Sequence, residues 1–326
     1  MPKSKKAPKS VNPLNVIGEI LGRKTQLGFD PAAYEFKCPY IQTTCKKRGK
    51  SVVGPYPVCS IWRGSGDEKD PAKDLVPVCP KRFYEVDFIA EVIDRCWPGS
   101  EPPKNPRVAP EVQMKGFGKV DFVIADVNED GSVAQFLSVE LQAIDISGSV
   151  INSYRAIVDG DAAHKPHNRG FNWDNVYKRY VTQLIRKGYF HHHWGTKIVA
   201  VIPEQVFQYI IGRASFLTSN DIKAPDSNIV FVTYALTGDE AVAPKAYRPK
   251  LVRCVATSHS ALQQAMMYAV APKREEFAKC ITRSLTNEIK LADLIKSGEL
   301  AYEGLIVEGS GGEHLDDDGV NAIPTP

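Results

Sequence analysis

Hydrophobic residues recur at helical intervals in the first hundred residues, on either side of a region without any period. Residues 13–22 and 82–97 place apolar side chains three and four positions apart, which predicts an amphipathic helix in each segment. Residues 36–82 are rich in Pro, Gly, Lys and Cys and lack this spacing. Residues 101–110 are rich in proline, which predicts a loop.

From residue 119 the pattern changes to that of strands. Residues 119–127 and 132–145 are rich in β-branched and apolar residues, and the Asp-Gly pair between them predicts a hairpin turn. The second strand carries a carboxylate and an amide, Glu140 and Gln142, on the face opposite its apolar side chains. A solvent-exposed face is the simplest explanation of such a pair.

Helix and strand spacing then alternate. Residues 172–190 predict a helix capped by Asn172, and residues 196–203 are continuously apolar, which is typical of a strand buried on both faces. Residues 204–212 predict a further helix and residues 228–236 a further strand. This order predicts an α/β domain built on a mixed sheet.

The composition is that of a soluble globular protein, with 326 residues, 43% hydrophobic and 24% charged, and a formal net charge of +3. Residues 1–10 contain four lysines and predict a flexible basic arm, whereas the Gly-rich acidic residues 307–326 predict a disordered tail. A mildly basic chain is compatible with a polyanionic partner. Because no apolar run approaches the ~20 residues of a membrane span and the N-terminus lacks a signal-peptide pattern, we expect a cytoplasmic protein without membrane contact.

The seven cysteines are an odd number, which argues against a fully paired disulfide framework. Four of them fall in the irregular region: Cys38, Cys45, Cys59 and Cys79. Four thiolates bind a tetrahedral metal, and a region with few apolar residues needs such a centre to fold, so a metal site is favoured over cysteines in an apolar core. The other three lie in apolar stretches and are predicted to be buried free thiols: Cys96, Cys254 and Cys280.

Two acids of the hairpin are candidates for metal chemistry. Folding about the turn places Asp121 roughly opposite Ser138, within a position or two of Glu140. Two carboxylates that meet without a cation repel each other, and a hard divalent cation such as Mg²⁺ relieves this repulsion. The pattern therefore indicates a metal-dependent phosphodiesterase site. Scattered acids on exposed strands explain the same spacing, and spacing alone favours that alternative.

Basic residues cluster in two segments, 45–50 and 164–179, where they could clamp phosphates. A solvated basic face explains either cluster equally well. The three consecutive histidines at 191–193 would point in different directions on any regular element, so they predict a surface turn rather than a metal site.

Four segments, in order, resemble the NotI and EagI group of type II restriction endonucleases, which have the PD-(D/E)XK nuclease fold. The first is the cysteine region, with CPYIQTTC, VCSI and VCPKR. The second resembles the active-site hairpin, KVDFVIADV and then SVELQAIDISGS, in which Glu-x-Gln replaces the usual Glu-x-Lys. GFNWDNVYKRYVTQLIRKG and TKIVAVIPEQVF complete the match. The resemblance covers residues 36–235 and implies a restriction-endonuclease-like mixed sheet flanked by helices, with an inserted four-cysteine metal region.

The resemblance implies a role for each candidate residue. Asp121 and Glu140 would hold the catalytic Mg²⁺, Gln142 would take the place of the lysine, and Glu111 would be a further catalytic acid. The four cysteines of the irregular region would bind one structural iron or zinc. The implied organisation is a basic arm and helix in 1–35, the metal region in 36–82, the nuclease core in 83–306 and the tail in 307–326.

The implied activity is Mg²⁺-dependent cleavage of double-stranded DNA at a GC-rich palindrome with a CGGCCG-type core. A palindrome calls for a homodimer, and a restriction–modification system includes a cognate DNA methyltransferase that protects the host site. The candidate DNA contacts are mostly arginines, which suit guanine edges. They are Arg48, Arg155, Arg169, Arg179, Gln183 and Arg186. Two other functions stay open: a nuclease of the same fold that acts in repair or on a DNA structure, and a non-cleaving DNA-binding protein held together by its metal.

Overall fold

The computed structural model describes residues 11–48, 54–64, 70–165, 169–224, 226–239, 246–268 and 273–285. The predicted basic arm and the predicted disordered tail lie outside these ranges. The chain divides into two compact units, Met1–Ala269 and Val270–Pro326. Within the described ranges, none of the helices has the length and apolar character needed to cross a membrane.

Strands and helices alternate along much of the chain. The strands are β1 (Ile17–Ile20), β2 (Arg23–Lys24), β3 (Val58–Trp62), β4 (Leu75–Pro77), β5 (Pro106–Met114), β6 (Gly118–Val127), β7 (Val133–Leu141), β8 (Ile146–Gly148), β9 (Arg169–Phe171), β10 (Ile198–Pro203), β11 (Ile229–Asp239) and β12 (Ala246–Thr257). The α-helices are α1 (Pro71–Asp74), α2 (Phe88–Cys96), α3 (Ile151–Asp159), α4 (Trp173–Asn175), α5 (Thr182–His193), α6 (Glu204–Ala214), α7 (His259–Met267) and α8 (Arg274–Ser284). A π-helix (Val176–Val181) joins α4 to α5, and short 3-10 helices span Pro13–Asn15, Ala32–Tyr34 and Pro80–Glu85.

A six-stranded mixed sheet, in the order β12-β11-β10-β7-β6-β5, carries the core. β7, β10 and β11 run parallel, and β12, β6 and β5 are antiparallel to their neighbours. Alternate residues of β10 face opposite layers: Ile198 and Ile202 belong to the cluster that contains α6, whereas Val199 and Val201 belong to the cluster that contains α2. The predicted mixed sheet flanked by helices is therefore confirmed, and β10 is buried on both faces as expected.

The predicted helix at residues 13–22 is wrong. β1 lies in a small four-stranded sheet, in the order β2-β1-β3-β4, and all four of its residues are buried. The packing is close, because a Cβ atom at Gly18 would lie 2.2 Å from Leu75 Cδ1. A strand covered on both faces has no two-residue alternation, so its apolar residues matched helical spacing instead.

The predicted loop at residues 101–110 is wrong in its second half. β5 begins at Pro106, forms one edge of the main sheet and is exposed along its whole length. Proline is tolerated at an edge because the missing N–H faces solvent. Pro106 and Pro110 therefore lie in an edge strand rather than in a loop.

Two predicted helices are present with altered geometry. The segment 82–97 divides into a 3-10 helix and α2, because Asp87 caps α2 by accepting a hydrogen bond from the Ala90 N–H at 3.0 Å. The helix predicted at 172–190 begins at Asn172, whose side chain accepts from the Asn175 N–H at 3.1 Å. This helix contains the π-helical turn, which no periodicity indicated.

The cysteines outside the irregular region differ in exposure. Cys96 is buried and Cys254 is half-buried, and their Sγ atoms lie 3.7 Å apart. Cys280 on α8 is exposed, so the prediction of a buried thiol is wrong there. Its apolar neighbours Phe277 and Ile281 are also exposed, so the apolar local sequence did not reflect burial.

Candidate active site

The two hairpin acids lie side by side on paired strands. Phe122 pairs with Val139 and Val123 with Ser138, so one further step of the same register places Asp121 opposite Glu140. The Leu141 N–H donates to Asp121 Oδ2 at 2.8 Å, which ties the first acid to the second strand. The expected pairing of Asp121 with Ser138 is therefore wrong by two residues. A register shift near the turn, between Asp126 and Val127, accounts for part of this error.

A third acid extends this row onto the edge strand. Pro110 pairs with Phe122 and Val112 with Val120, so Glu111 lies next to Asp121 in the register of β5 and β6. Glu111 has the left-handed φ of 54°, which a non-glycine residue seldom adopts. Its carboxylate is 2.9 Å from Lys119 Nζ and 72% exposed, and the Lys119 hydrogen bond lowers the pKa of Glu111. We call Glu111, Asp121 and Glu140 the acid row.

The polar face of β7 is covered by helix α5. Ser138 is hydrogen-bonded to His191, with 2.8 Å between Oγ and Nε2, and Glu140 forms an ion pair with Lys187. Only 17% of the Glu140 side chain is exposed. The alternative of an exposed strand with scattered acids is therefore wrong for β7, because its polar residues have specific partners.

Lys187 is a charged residue of the site that the sequence did not single out. Its Nζ donates to Glu140 Oε1 and, at 2.5 Å, to the Lys119 carbonyl oxygen, and its side chain is only 9% exposed. Its position was visible in the sequence, because Tyr180, Leu184 and Lys187 fall at intervals of four and three residues. A lysine on an otherwise apolar helix face could have indicated that Lys187 is buried with a charged partner.

Water is largely excluded from Glu140. Burial raises the pKa of Glu140 to about 7, the Lys187 ammonium lowers it, and the charge of Asp121 raises it. Burial also raises the pKa of the Tyr180 phenol, and the charges of Glu140 and Asp121 add to this effect. The Tyr180 hydroxyl is buried and makes no hydrogen bond within the described part of the chain. This site therefore holds two acids, one cation and one unsatisfied hydroxyl.

The first of the three consecutive histidines is buried in the last turn of α5. His191 Nδ1 lies 2.7 Å from the Lys187 carbonyl oxygen, which can only accept, so Nδ1 carries the proton and Nε2 accepts from the Ser138 hydroxyl. Burial lowers the pKa of His191 to about 4, so the ring is neutral at pH 7. The predicted surface turn is wrong, because α5 continues to His193.

A polar cavity of about 240 Å³ opens beside the acid row. It is lined by Gln142, Asp145, Asn172, Asn175, Val176, Arg179, Tyr180 and Gln183. Within it, the Asn175 Nδ2 donates to Asp145 Oδ2 at 3.1 Å, and Gln142 Nε2 donates to the Ala143 carbonyl oxygen. Two of the candidate DNA contacts, Arg179 and Gln183, thus line the same cavity as Gln142.

The remaining candidate DNA contacts lie elsewhere. Arg186 is exposed and donates to the Gly116 carbonyl oxygen at 2.5 Å, which places it beside the turn between β5 and β6. Arg48 is exposed and donates to the Cys45 carbonyl oxygen at 2.9 Å, and Arg169 donates to the Trp62 carbonyl oxygen at 3.1 Å. Arg155 is exposed on α3. None of these four lines the cavity.

The four cysteines of the irregular region form no disulfide. Burial raises the pKa of Cys45, and the charges of Cys79 and Cys38 add to this effect. Burial likewise raises the pKa of Cys59, again with a contribution from Cys79. However, among the described residues no three His, Cys, Asp or Glu side chains are arranged to hold a metal ion, and this includes the acid row.

The comparisons with known proteins agree with this geometry. Residues 19–245 match the model of the family described as restriction endonuclease NotI, which is more than two thirds of the 326-residue chain. The matched range contains the acid row, Lys187 and the four cysteines of the irregular region. No match was found among curated proteins. The chain therefore belongs to the NotI family of restriction endonucleases and is a type II site-specific deoxyribonuclease.

Proposed function

We propose that this enzyme cleaves both strands of duplex DNA at the acid row in a Mg²⁺-dependent reaction, with Asp121 and Glu140 as the ligands of the cation. The observation that carries the proposal is the adjacent placement of these two carboxylates on paired strands, at the side of a polar cavity. The family match supports the same reaction class.

The donor chemistry of the two acids fits a hard divalent cation. Asp121 Oδ2 is occupied by the Leu141 N–H and Glu140 Oε1 by Lys187. These contacts engage one oxygen of each carboxylate and leave the second outside them, and carboxylate oxygens are the ligands that Mg²⁺ prefers. When bound, Mg²⁺ would stabilise the charge that develops on the phosphoryl oxygens.

Side chains around the cavity have complementary tasks in this proposal. Arg179 and Gln183 line the cavity, and in this proposal they bind the DNA phosphate backbone and fix its register. Gln142 can donate a hydrogen bond to a phosphate oxygen but carries no charge, so it stabilises a developing negative charge less than a lysine would. The unsatisfied Tyr180 hydroxyl supplies one further donor.

The proposed substrate is a GC-rich palindrome with a CGGCCG-type core, cleaved by a homodimer. The support is the resemblance of the hairpin and of the following helix to this group of enzymes, together with the family match. Twofold symmetry lets two identical sites act on the two strands of a palindrome. A cognate methyltransferase would protect the host site in a cytoplasmic restriction–modification system. Arg48, Arg155 and Arg169 are proposed DNA contacts, outside the cavity.

We also propose that Cys38, Cys45, Cys59 and Cys79 bind one structural iron or zinc. The support is the chemistry of four thiols in one region, together with the electrostatic effect of Cys79 and Cys38 on the pKa of Cys45 and of Cys79 on the pKa of Cys59. Elemental analysis of the purified protein should find one iron or zinc per chain, and Cys59→Ser should lose it. Protein that folds and cuts DNA without either metal would contradict this site.

The test of the proposed function is to map the ends produced from a long unmethylated DNA of known sequence. Discrete Mg²⁺-dependent fragments that all end at one GC-rich palindrome are expected. Smears or nicks at DNA structures would instead support a nuclease with another role, and binding without cutting would support a DNA-binding protein.

A further inference from the structure

The strand that carries Glu140, β7, contains no lysine or arginine. Gln142 lies directly after the end of β7, two residues beyond Glu140, and an amide cannot neutralise a carboxylate or a phosphate. Lys119, on β6, is engaged with the exposed Glu111. The cation in contact with Glu140 comes from helix α5, as Lys187.

Three elements hold the Lys187 ammonium in place. Nζ donates to Glu140 on β7 and to the Lys119 carbonyl oxygen on β6, and it lies 5.9 Å from the centre of the Phe117 ring. The helix that carries it approaches the sheet closely, because a Cβ atom at Gly188 would lie 2.7 Å from the side chain of Ile229. The ammonium is therefore fixed by the fold rather than free to sample many positions.

A structural ion pair would not require this arrangement. A buried charge pair costs desolvation energy that its attraction scarcely offsets, so apolar residues would serve stability as well or better. Here the pair engages only one oxygen of Glu140, and the other makes no hydrogen bond within the described residues. The carboxylate is thus oriented with one oxygen still available.

We propose that Lys187 is a positioning residue of the nuclease site, which supplies from helix α5 the positive charge that Gln142 lacks and holds Glu140 with its second oxygen directed to the reaction. The inference rests on the proposed function of the acid row. In this proposal the positive charge comes from helix α5 and not from the segment at the end of β7. Helix α5 begins 41 residues beyond Leu141, the last residue of β7.

The test exchanges the two side chains between positions 142 and 187. Lys187→Gln keeps a hydrogen-bonding group but removes the charge, and we expect kcat to fall by about 10²-fold or more with the Kd for DNA changed less than about threefold. The double variant Lys187→Gln/Gln142→Lys returns a charge to the site from the residue that follows β7, and we expect it to recover at least about tenfold of the lost kcat. Lys223→Gln, which removes an exposed lysine outside the site, is the matched control and should cut like the wild type.

Three results decide the outcome. Wild-type kcat in Lys187→Gln would overturn the inference, because charge would then be unnecessary. A kcat loss that Gln142→Lys does not relieve in a folded double variant would also overturn it, because the lysine would then act only in packing. If Lys187→Gln does not fold, Lys187→Arg replaces it in the test, because arginine keeps the charge. We then expect Lys187→Arg to retain more than about a tenth of the wild-type kcat. A folded but inactive Lys187→Arg would overturn the inference. Failure of the proposed function is distinguishable, since Glu140→Gln would then remain active.

Discussion

The surroundings of Glu140 act on its pKa in opposite directions. Burial beneath α5 raises its pKa to about 7, the Lys187 ammonium acts in the opposite direction, and the neighbouring Asp121 adds to the effect of burial. In the metal-free protein the carboxyl group therefore carries a proton part of the time near neutral pH. The proposed divalent cation would have to displace this proton in order to bind Glu140.

We predict that Mg²⁺ affinity falls as the pH is lowered below 7. Below the folded-state pKa of about 7, the ionised fraction of Glu140 falls about tenfold per pH unit, and half-saturating Mg²⁺ should rise by a similar factor. Cleavage rates over a Mg²⁺ titration at pH 6, 7, 8 and 8.5 measure this. The half-saturating concentration should differ little between pH 8 and 8.5, and equal values at pH 6 and 8.5 would refute the prediction.

The sequence predicted part of the residue-level site. Asp121 and Glu140 were expected to be close because a short turn forces the two strands to pair, although the register was two residues off. Lys187 and Tyr180 were not identified, because the helix that carries them reaches the strand only through tertiary packing. Sequence spacing reports neighbours within one element and across a tight hairpin, and it reports little about contacts between distant elements.

At the scale of elements, α5 and β7 meet in an interface made of polar side chains, although both elements also pack against the apolar core. His191 meets Ser138, Lys187 meets Glu140, and the next turn towards the N-terminus faces the cavity beside Gln142. The neutral His191 ring satisfies a backbone carbonyl and a serine hydroxyl at once. The interface therefore depends on the protonation state of this histidine.

We predict that His191 makes the fold sensitive to acid. The pKa of His191 is about 4 in the folded protein and about 6.5 in an unfolded chain, so the unfolded state binds the extra proton first. Stability is therefore lost as the pH falls from about 6.5 towards 4, by up to about 3 kcal/mol from this residue. Urea unfolding of the wild type and of His191→Gln at pH 7 and 4.5 tests it.

The variant is expected to lose less stability between these two pH values than the wild type does. Since both proteins share every other titrating group, the difference between them isolates His191. Parallel losses in the two proteins would show that this histidine does not titrate on unfolding.

Whether a strand or helix was predicted correctly depended on how it is buried in the fold. The hairpin, β10 and the capped helix at Asn172 follow from local turn, apolar and capping signals. β1 was mistaken for a helix because both of its faces are covered, and β5 was mistaken for a loop because its prolines lie at a sheet edge. Both errors arise from the position of a strand in its sheet, which a local pattern does not contain.

At the scale of the whole molecule, the family match runs from the second half of β1 through the cysteine region and the main sheet up to β11. One acid row per chain can serve one strand of DNA. The proposed cleavage of both strands at a palindrome would be served by a second copy of the chain, related by twofold symmetry.

We predict two chains on one duplex. Sedimentation of Glu140→Gln with a short duplex that contains one CGGCCG-centred palindrome should give a complex of two chains and one DNA. The inactive variant keeps the duplex intact during the measurement. A duplex of the same length without the palindrome is the control, and a complex of one chain with the palindromic duplex would contradict the homodimer.

The most direct test of the central claim compares cleavage by Glu140→Gln with cleavage by the wild type on the same long unmethylated DNA. Glu129→Gln, in the exposed hairpin turn, serves as the matched control. We predict that the wild type and Glu129→Gln give the same discrete fragments in Mg²⁺, and that Glu140→Gln gives none while binding the DNA within about threefold of the wild-type Kd. Cleavage by Glu140→Gln at the wild-type rate would contradict the assignment of the acid row as the nuclease site.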